Sequence, residues 1–238
     1  MPGSMPALLF DMFGTLVEPP TFRTRPEVVS SHLAREWGLE VRPFQIWWEK
    51  NREVRLRQPF AEILSAVSRY AEGVGQHRTS RQLEQGVRRA MDAAQDQPVR
   101  FVDGMAEVLD TLRERGYGIA VLENLDEVEE RGLEGLSWPK SVDQFVLSNS
   151  TDLLLPEPGI FEFALRTLWD ARADRSALVS SGWNGALEGA RRAGIRDVVF
   201  VRGTRERLGL LTPEEDATAS RAADATLESI EALLDRFR

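Results

Sequence analysis

The chain has 238 residues, 42% of them hydrophobic and 29% charged, the balance of a folded protein that buries roughly 70–75% of its unfolded surface. A net charge of −8 at pH 7 argues against a general nucleic-acid surface or an anionic-membrane surface, and no apolar run approaches the roughly 20 residues that span a bilayer. Cysteine is absent, which excludes disulfides, thiol catalysis and thiolate metal sites. The length admits one or two domains. Residues 1–6 lack the charged and apolar regions of a signal peptide, the stretch before Met5 reads as a cloning remnant, and the expected location is cytoplasmic. Lys50 and Lys140 are the only lysines.

In chain order, residues 7–10 form a short apolar run that ends at Asp11 and a Gly14-Thr15 turn, the pattern of a buried strand. From Pro19 to about Pro98 the pattern turns helical. Val28, Val29, Leu33 and Trp37 make one stripe closed by Gly38, and Phe44, Trp47, Trp48 and Val54 begin the next. Pro59 breaks that stripe before Ile63, Leu64 and Val67, and Ser80 is the expected cap of a helix reaching about Ala94. After Phe101 helices and strands alternate: helix 104–115, strand 118–122, weak helix 127–135, strand 144–147, helix 160–169, strand 177–179, helix 186–193 and strand 197–201. Residues 203–223 read as a charged loop, and a final helix runs through Leu227, Ile230, Leu233 and Phe237. Alternation of this kind predicts a doubly wound parallel α/β sheet, with 17–100 as an inserted helical segment.

Four segments in this order resemble the motifs of the haloacid dehalogenase (HAD) superfamily. They are the run from Leu8 to Leu16, the unit from Asp103 to Leu122, the stretch Pro156 to Phe161, and Val179-Ser180-Ser181 through Ile195. The resemblance implies a Rossmann-like core at residues 1–16 and 101–238 and a helical cap at 17–100, of the L-2-haloacid dehalogenase type. It implies that Asp11 is the nucleophile of the first motif. Phosphatases of that superfamily carry a second acid where this chain has Phe13, a lysine where it has Leu155, and metal-holding acids where it has Ser180, Ser181 and Ala186. Magnesium needs near-octahedral oxygen ligands including carboxylates, so no metal and no cofactor is expected. The dehalogenases, which use no metal and read Val-Ser-Ser in the fourth motif, are closer, yet they also need the lysine and a late acid. Each positioned acid or base contributes ~10²–10⁴ in rate, so ordinary haloacid hydrolysis should be slow.

Glu123 replaces the family's small hydroxyl residue at the end of the second strand. The resemblance implies a place beside Asp11, where like charges raise one pKa and attract an amine; the alternative is a surface glutamate. Asp11 and Glu123 are therefore the catalytic candidates. Thr15, Asn124, Ser181, Asn184 and Arg23 are the substrate-binding candidates, with Arg25 a second cap arginine able to grip an oxyanion. Ser180 is expected to satisfy local backbone groups, Glu188 to be solvated, and Trp47, Trp48, His32 and His77 to be packing or surface residues. Two functions are carried forward. One is a metal-free enzyme performing substitution or elimination at carbon on a small polar metabolite, including intramolecular ring closure in a biosynthetic pathway. The other is a pseudoenzyme that binds a ligand or serves as a partner subunit, as a homodimer or hetero-oligomer.

Overall fold

The computed structural model describes residues 5–95 and 97–238; residues 1–4, most of the presumed remnant, lie outside them. Six strands form one sheet: β1 (Ala7–Asp11), β2 (Gly118–Glu123), β3 (Gln144–Leu147), β4 (Ala177–Ser180), β5 (Asp197–Val201) and β6 (Ala225–Leu227). Their order is β3-β2-β1-β4-β5-β6, and every pair is parallel. Parallel sheets are covered on both faces, which is why β1, β2 and β4 read as unbroken apolar runs rather than alternating ones. Leu8, Phe10, Ile119 and Val121 pack under the helix Met105–Glu114. Ala7, Leu9, Ala120 and Leu122 face the helices Pro158–Thr167 and Ala186–Arg192.

Between β1 and the Met105–Glu114 helix, the described residues form helices Thr21–Thr24, Pro26–Glu36, Val41–Lys50, Arg52–Arg57, Phe60–Gly73 and Ser80–Ala94. Their core is aromatic. Trp37 meets Phe44 edge-on at 5.5 Å, and its indole N–H donates to Leu83 O at 3.1 Å. Trp47 and Trp48 join this cluster, as expected of packing residues. The two chain crossings between this helical segment and the sheet run side by side: Val102 N donates to Leu16 O at 2.9 Å and Glu18 N to Arg100 O at 3.0 Å.

Three sequence expectations are corrected. The cap of the last helix of the insert is Thr79, not Ser80, with Gln82 completing a capping box. Residues 203–223 are not a loop; they carry helices Gly203–Arg207 and Pro213–Ala222, the second opened by a Thr212–Glu215 capping box. Leu227 ends the edge strand β6 rather than starting a helix. That strand is three residues long with a polar middle, too short to show a period.

Candidate active site

The chain runs from β1 to β2 and β3 on one side of the sheet, then returns to β4 on the other. The crevice at the carboxyl ends of β1 and β4 is therefore the topological switch point, where open α/β sheets bind their ligands. Asp11 ends β1 and Ser180 ends β4. Gly14 turns the chain back beneath them with φ +84°, a left-handed conformation that costs other residues ~1–2 kcal/mol. A Cβ on Gly14 would also lie 2.9 Å from Ser181 Cβ and Oγ. Gly14→Ala should therefore lower the melting temperature by roughly 2–8 °C and displace Ser181 from Asp11. An unchanged melting curve would show that the turn tolerates a side chain.

The Asp11 carboxylate is held mainly by the fourth-motif serines. Ser180 Oγ donates to Asp11 Oδ2 at 2.6 Å, and Ser181 N reaches Oδ1 at 3.2 Å and Oδ2 at 3.1 Å. Ser181 Oγ lies 3.2 Å from Oδ2 but 2.8 Å from Phe13 O, so its single proton is divided between them. Burial raises the Asp11 pKa from 3.8 to about 7, with Glu123 adding to the shift, while the Ser180 hydroxyl and the Ser181 N–H oppose it. Thr15 Oγ1 is buried without a hydrogen-bond partner among the described residues. Among the described residues, Oδ1 accepts only the long bond from Ser181 N, which leaves it the freer oxygen of the pair.

Glu123 lies next to Asp11, the register pairing Asp11 with Leu122 across β1 and β2. It is not, however, a free carboxylate. Its Oε2 accepts from Phe13 N at 3.2 Å. Its Oε1 accepts from Asn124 N at 3.0 Å, from Asn184 Nδ2 at 3.2 Å and from Arg23 Nη2 at 2.9 Å. The surface-glutamate reading is thus excluded, and so is an unpaired acid awaiting an amine. Burial works against the Arg23 charge, but Glu123 and Glu129 outweigh it and hold the guanidinium above its usual pKa. Arg23 also donates to Asn124 O at 3.1 Å and stands 5.1 Å over the Phe13 ring. A residue of the helical insert is therefore locked to the sheet directly above Asp11.

The remaining candidates divide. Asn184 takes a left-handed φ of 55°, which asparagine tolerates, and aims its amide at Glu123. Asn124 is corrected from a substrate-binding group to a brace: Nδ2 donates to Leu155 O at 2.8 Å and Oδ1 accepts from Leu155 N at 2.7 Å. Ser181 and Thr15 are buried in the floor rather than on a rim. Arg25 and Glu188 are exposed. Ser180 does more than expected, making the shortest bond to Asp11. Arg205, in the stretch read as a loop, is buried, donates to Ser181 O at 3.1 Å and stacks 4.8 Å over Trp183. A second buried pair, Arg55 with Asp126 at 3.0 Å, ties the insert to the helix after β2. No local pattern marks either arginine.

Asp11 is 2% exposed and lines none of five clefts of about 320–660 Å³. The cleft that borders the site, about 320 Å³, is lined by Arg23, Arg52, Glu129, Trp183, Asn184 and Arg205. Arg23 and Asn184, both bonded to Glu123, line it, whereas Asp11 does not. A divalent metal does not fit this donor set. Asp11 is bonded to serine hydroxyls and an N–H, Glu123 is committed to Arg23, and the described residues hold no cluster of three His, Asp or Glu able to ligate one. Nor is any helix among them long and apolar enough to cross a membrane.

A six-stranded, all-parallel doubly wound sheet, an aspartate at its switch point and a helical insert after the first strand define a Rossmann-like α/β protein with a buried carboxylate site. The chain belongs to the haloacid dehalogenase-like hydrolase family, whose sequence model matches residues 5–194. Solved structures with the same fold include 2-haloacid dehalogenase from Pseudomonas syringae pv. Tomato DC3000, at 17% identity, TM-score 0.67, and coverage of 98% of this chain and 100% of that one. They also include a HAD phosphatase from Thermococcus onnurineus, at 15% identity, TM-score 0.61 and coverage of 98% and 97%. The L-2-haloacid dehalogenase of Xanthobacter autotrophicus, solved with chloropropionic acid covalently bound, matches at 15% identity, TM-score 0.55 and coverage of 98% and 98%. No curated protein sequence matches this one. Dehalogenases and a phosphatase share the fold, so activity has to be argued from the site.

Proposed function

We propose that the protein is a metal-independent enzyme that uses Asp11 in substitution or elimination at carbon on a small polar metabolite, with departure of an anionic leaving group. The observation that carries this reading is a buried switch-point carboxylate, held by Ser180 and Ser181 on Oδ2 with only a long bond on Oδ1, whose pKa burial pushes up to about 7, in a site whose other carboxylate is already committed to Arg23. A group with a pKa near 7 is suited to taking a proton at physiological pH. In the variant we favour, the substrate's own amine attacks the carbon that bears the leaving group. The N–C bond forms, the leaving group departs with its electron pair, and Asp11 Oδ1 accepts the amine proton, closing a ring in a biosynthetic step. No hydrolytic water is then needed, which accounts for the missing lysine and late acid. The Arg23–Glu123 pair leaves the site closer to neutral than two free carboxylates would, so the amine enters without a fixed charge holding it protonated. The closed cleft means that substrate entry requires the insert to move.

The test is halide release from ω-halo amines, followed by ion chromatography on the full chain and on any copurifying complex. Asp11→Asn should cut turnover by about 10²-fold or more without unfolding the protein, and added magnesium or EDTA should change nothing. Wild-type turnover in the variant, or magnesium-dependent phosphate release from a phosphomonoester, would refute the proposal. The sealed position of Asp11 favours a second reading, a binding or partner subunit whose site never opens. Absence of turnover with every substrate and partner tried, together with a stable complex, would support it.

A further inference from the structure

The arrangement around Glu123 is more elaborate than an ion pair needs. Four donors from four separate parts of the chain converge on one carboxylate: Phe13 N from the turn after β1, Asn124 N after β2, Asn184 Nδ2 after β4, and Arg23 Nη2 from the helical insert. Two of them are backbone N–H groups placed by the sheet itself, and they stay where they are whatever side chain occupies position 123. Preorganised N–H donors backed by a planar guanidinium are a receptor for an oxyanion.

We propose that Glu123 is an internal anion that fills an oxyanion receptor beside Asp11, reserving the Asp11 site for substrates whose reacting end is neutral or cationic. A carboxylate, sulfate or phosphate group brought against Asp11 finds its donors already taken. It also meets the Glu123 charge in a dry site, where an unpaired buried charge is strongly disfavoured. A neutral carbon bearing a halide, or an amine, meets neither obstacle. The selectivity for amine-bearing over acid-bearing metabolites rests on the reading of Asp11 as the reacting group. The receptor itself does not, because it is a binding property.

The experiment is chemical rescue. Glu123→Ala removes the side-chain carboxylate and leaves a space suited to formate or acetate. In anion-poor buffer this variant should melt below wild type, and formate at tens of millimolar should raise its melting temperature by roughly 5 °C or more, saturably. Calorimetry should show one formate site in Glu123→Ala and none in wild type or in Glu123→Gln. Adding Arg23→Leu to Glu123→Ala should abolish it. Should Glu123→Ala fold poorly, formate is expected to restore the folded state itself, read by circular dichroism. A variant that neither binds formate nor is rescued by it would overturn the inference. So would formate binding by wild type with equal affinity. Because no turnover is measured, failure of this test is distinct from failure of the enzymatic reading, which Asp11→Asn decides.

Discussion

Asp11→Asn should make the folded protein more stable at pH 8, by about 2–4 kcal/mol, while removing turnover. An aspartate with its usual pKa of 3.8 in the unfolded chain and about 7 in the folded protein binds its proton more tightly when folded. Its contribution to stability is therefore fully present below pH 3.8, falls as pH rises from there to about 7, and is level above that. A displacement of that size corresponds to about 4 kcal/mol at 1.36 kcal/mol per pH unit. The altered bonds to Ser180 and Ser181 in the asparagine variant offset part of the gain. Urea unfolding at pH 5, 6, 7 and 8 is the measurement. Wild type should lose stability across that series relative to Asp11→Asn, the gap widening towards pH 8. A gap that does not change with pH would mean that Asp11 is not held at a raised pKa.

Arg23→Met should cost about 3–5 kcal/mol, because it leaves the buried Glu123 without its cation. The two side chains are 7% and 2% exposed and 2.9 Å apart, so solvent screens the pair little. The three neutral donors that remain on Glu123 place the expected loss towards the lower end of that range. Adding Glu123→Gln to Arg23→Met should recover more than half of it, since neither partner is then a buried unpaired charge. Unfolding in urea measures all three variants; strictly additive losses would show that the two residues do not interact. Arg23 also reaches Glu129 at 3.5 Å, whose carboxyl is pushed up by burial and by Asp126. Loss of Arg23 should therefore loosen the insert over the site as well. Faster amide exchange in Thr21–Thr24 relative to Phe60–Gly73 would report it.

Much of the fold was legible from local pattern. The apolar run ending at Asp11, the glycine turn after it and the alternation of helices and strands past Phe101 predict a parallel doubly wound sheet. Periodicity and turn chemistry act over two to four residues and are written in neighbouring positions; that Asp11 lies on the central strand came from the order of the motifs that resemble the HAD superfamily. The Thr212-Pro213-Glu214-Glu215 capping box was equally legible and marks a helix that composition alone presents as a loop. Adjacency of Glu123 to Asp11 was implied by the topology of the family the motifs resemble, and the β1–β2 pairing agrees with it.

What Glu123 does there was decided by tertiary structure. Its cation, Arg23, is 100 residues away in the chain and arrives only when the helical insert packs on the sheet. The same holds for Asn124, spent on the backbone of Leu155 31 residues on, and for Arg205, buried against Ser181 O across the strand β5. Residue type states which hydrogen bonds and charges a side chain can offer, and the sequence by itself determined that Asp11, Glu123 and the serines would be polar groups at one sheet edge. Whether a polar group is left free for a substrate or is consumed by a partner depends on which distant donor the packing brings within 3 Å. In a dry site that pairing is enforced, since a buried charge without a partner is far costlier than one with it.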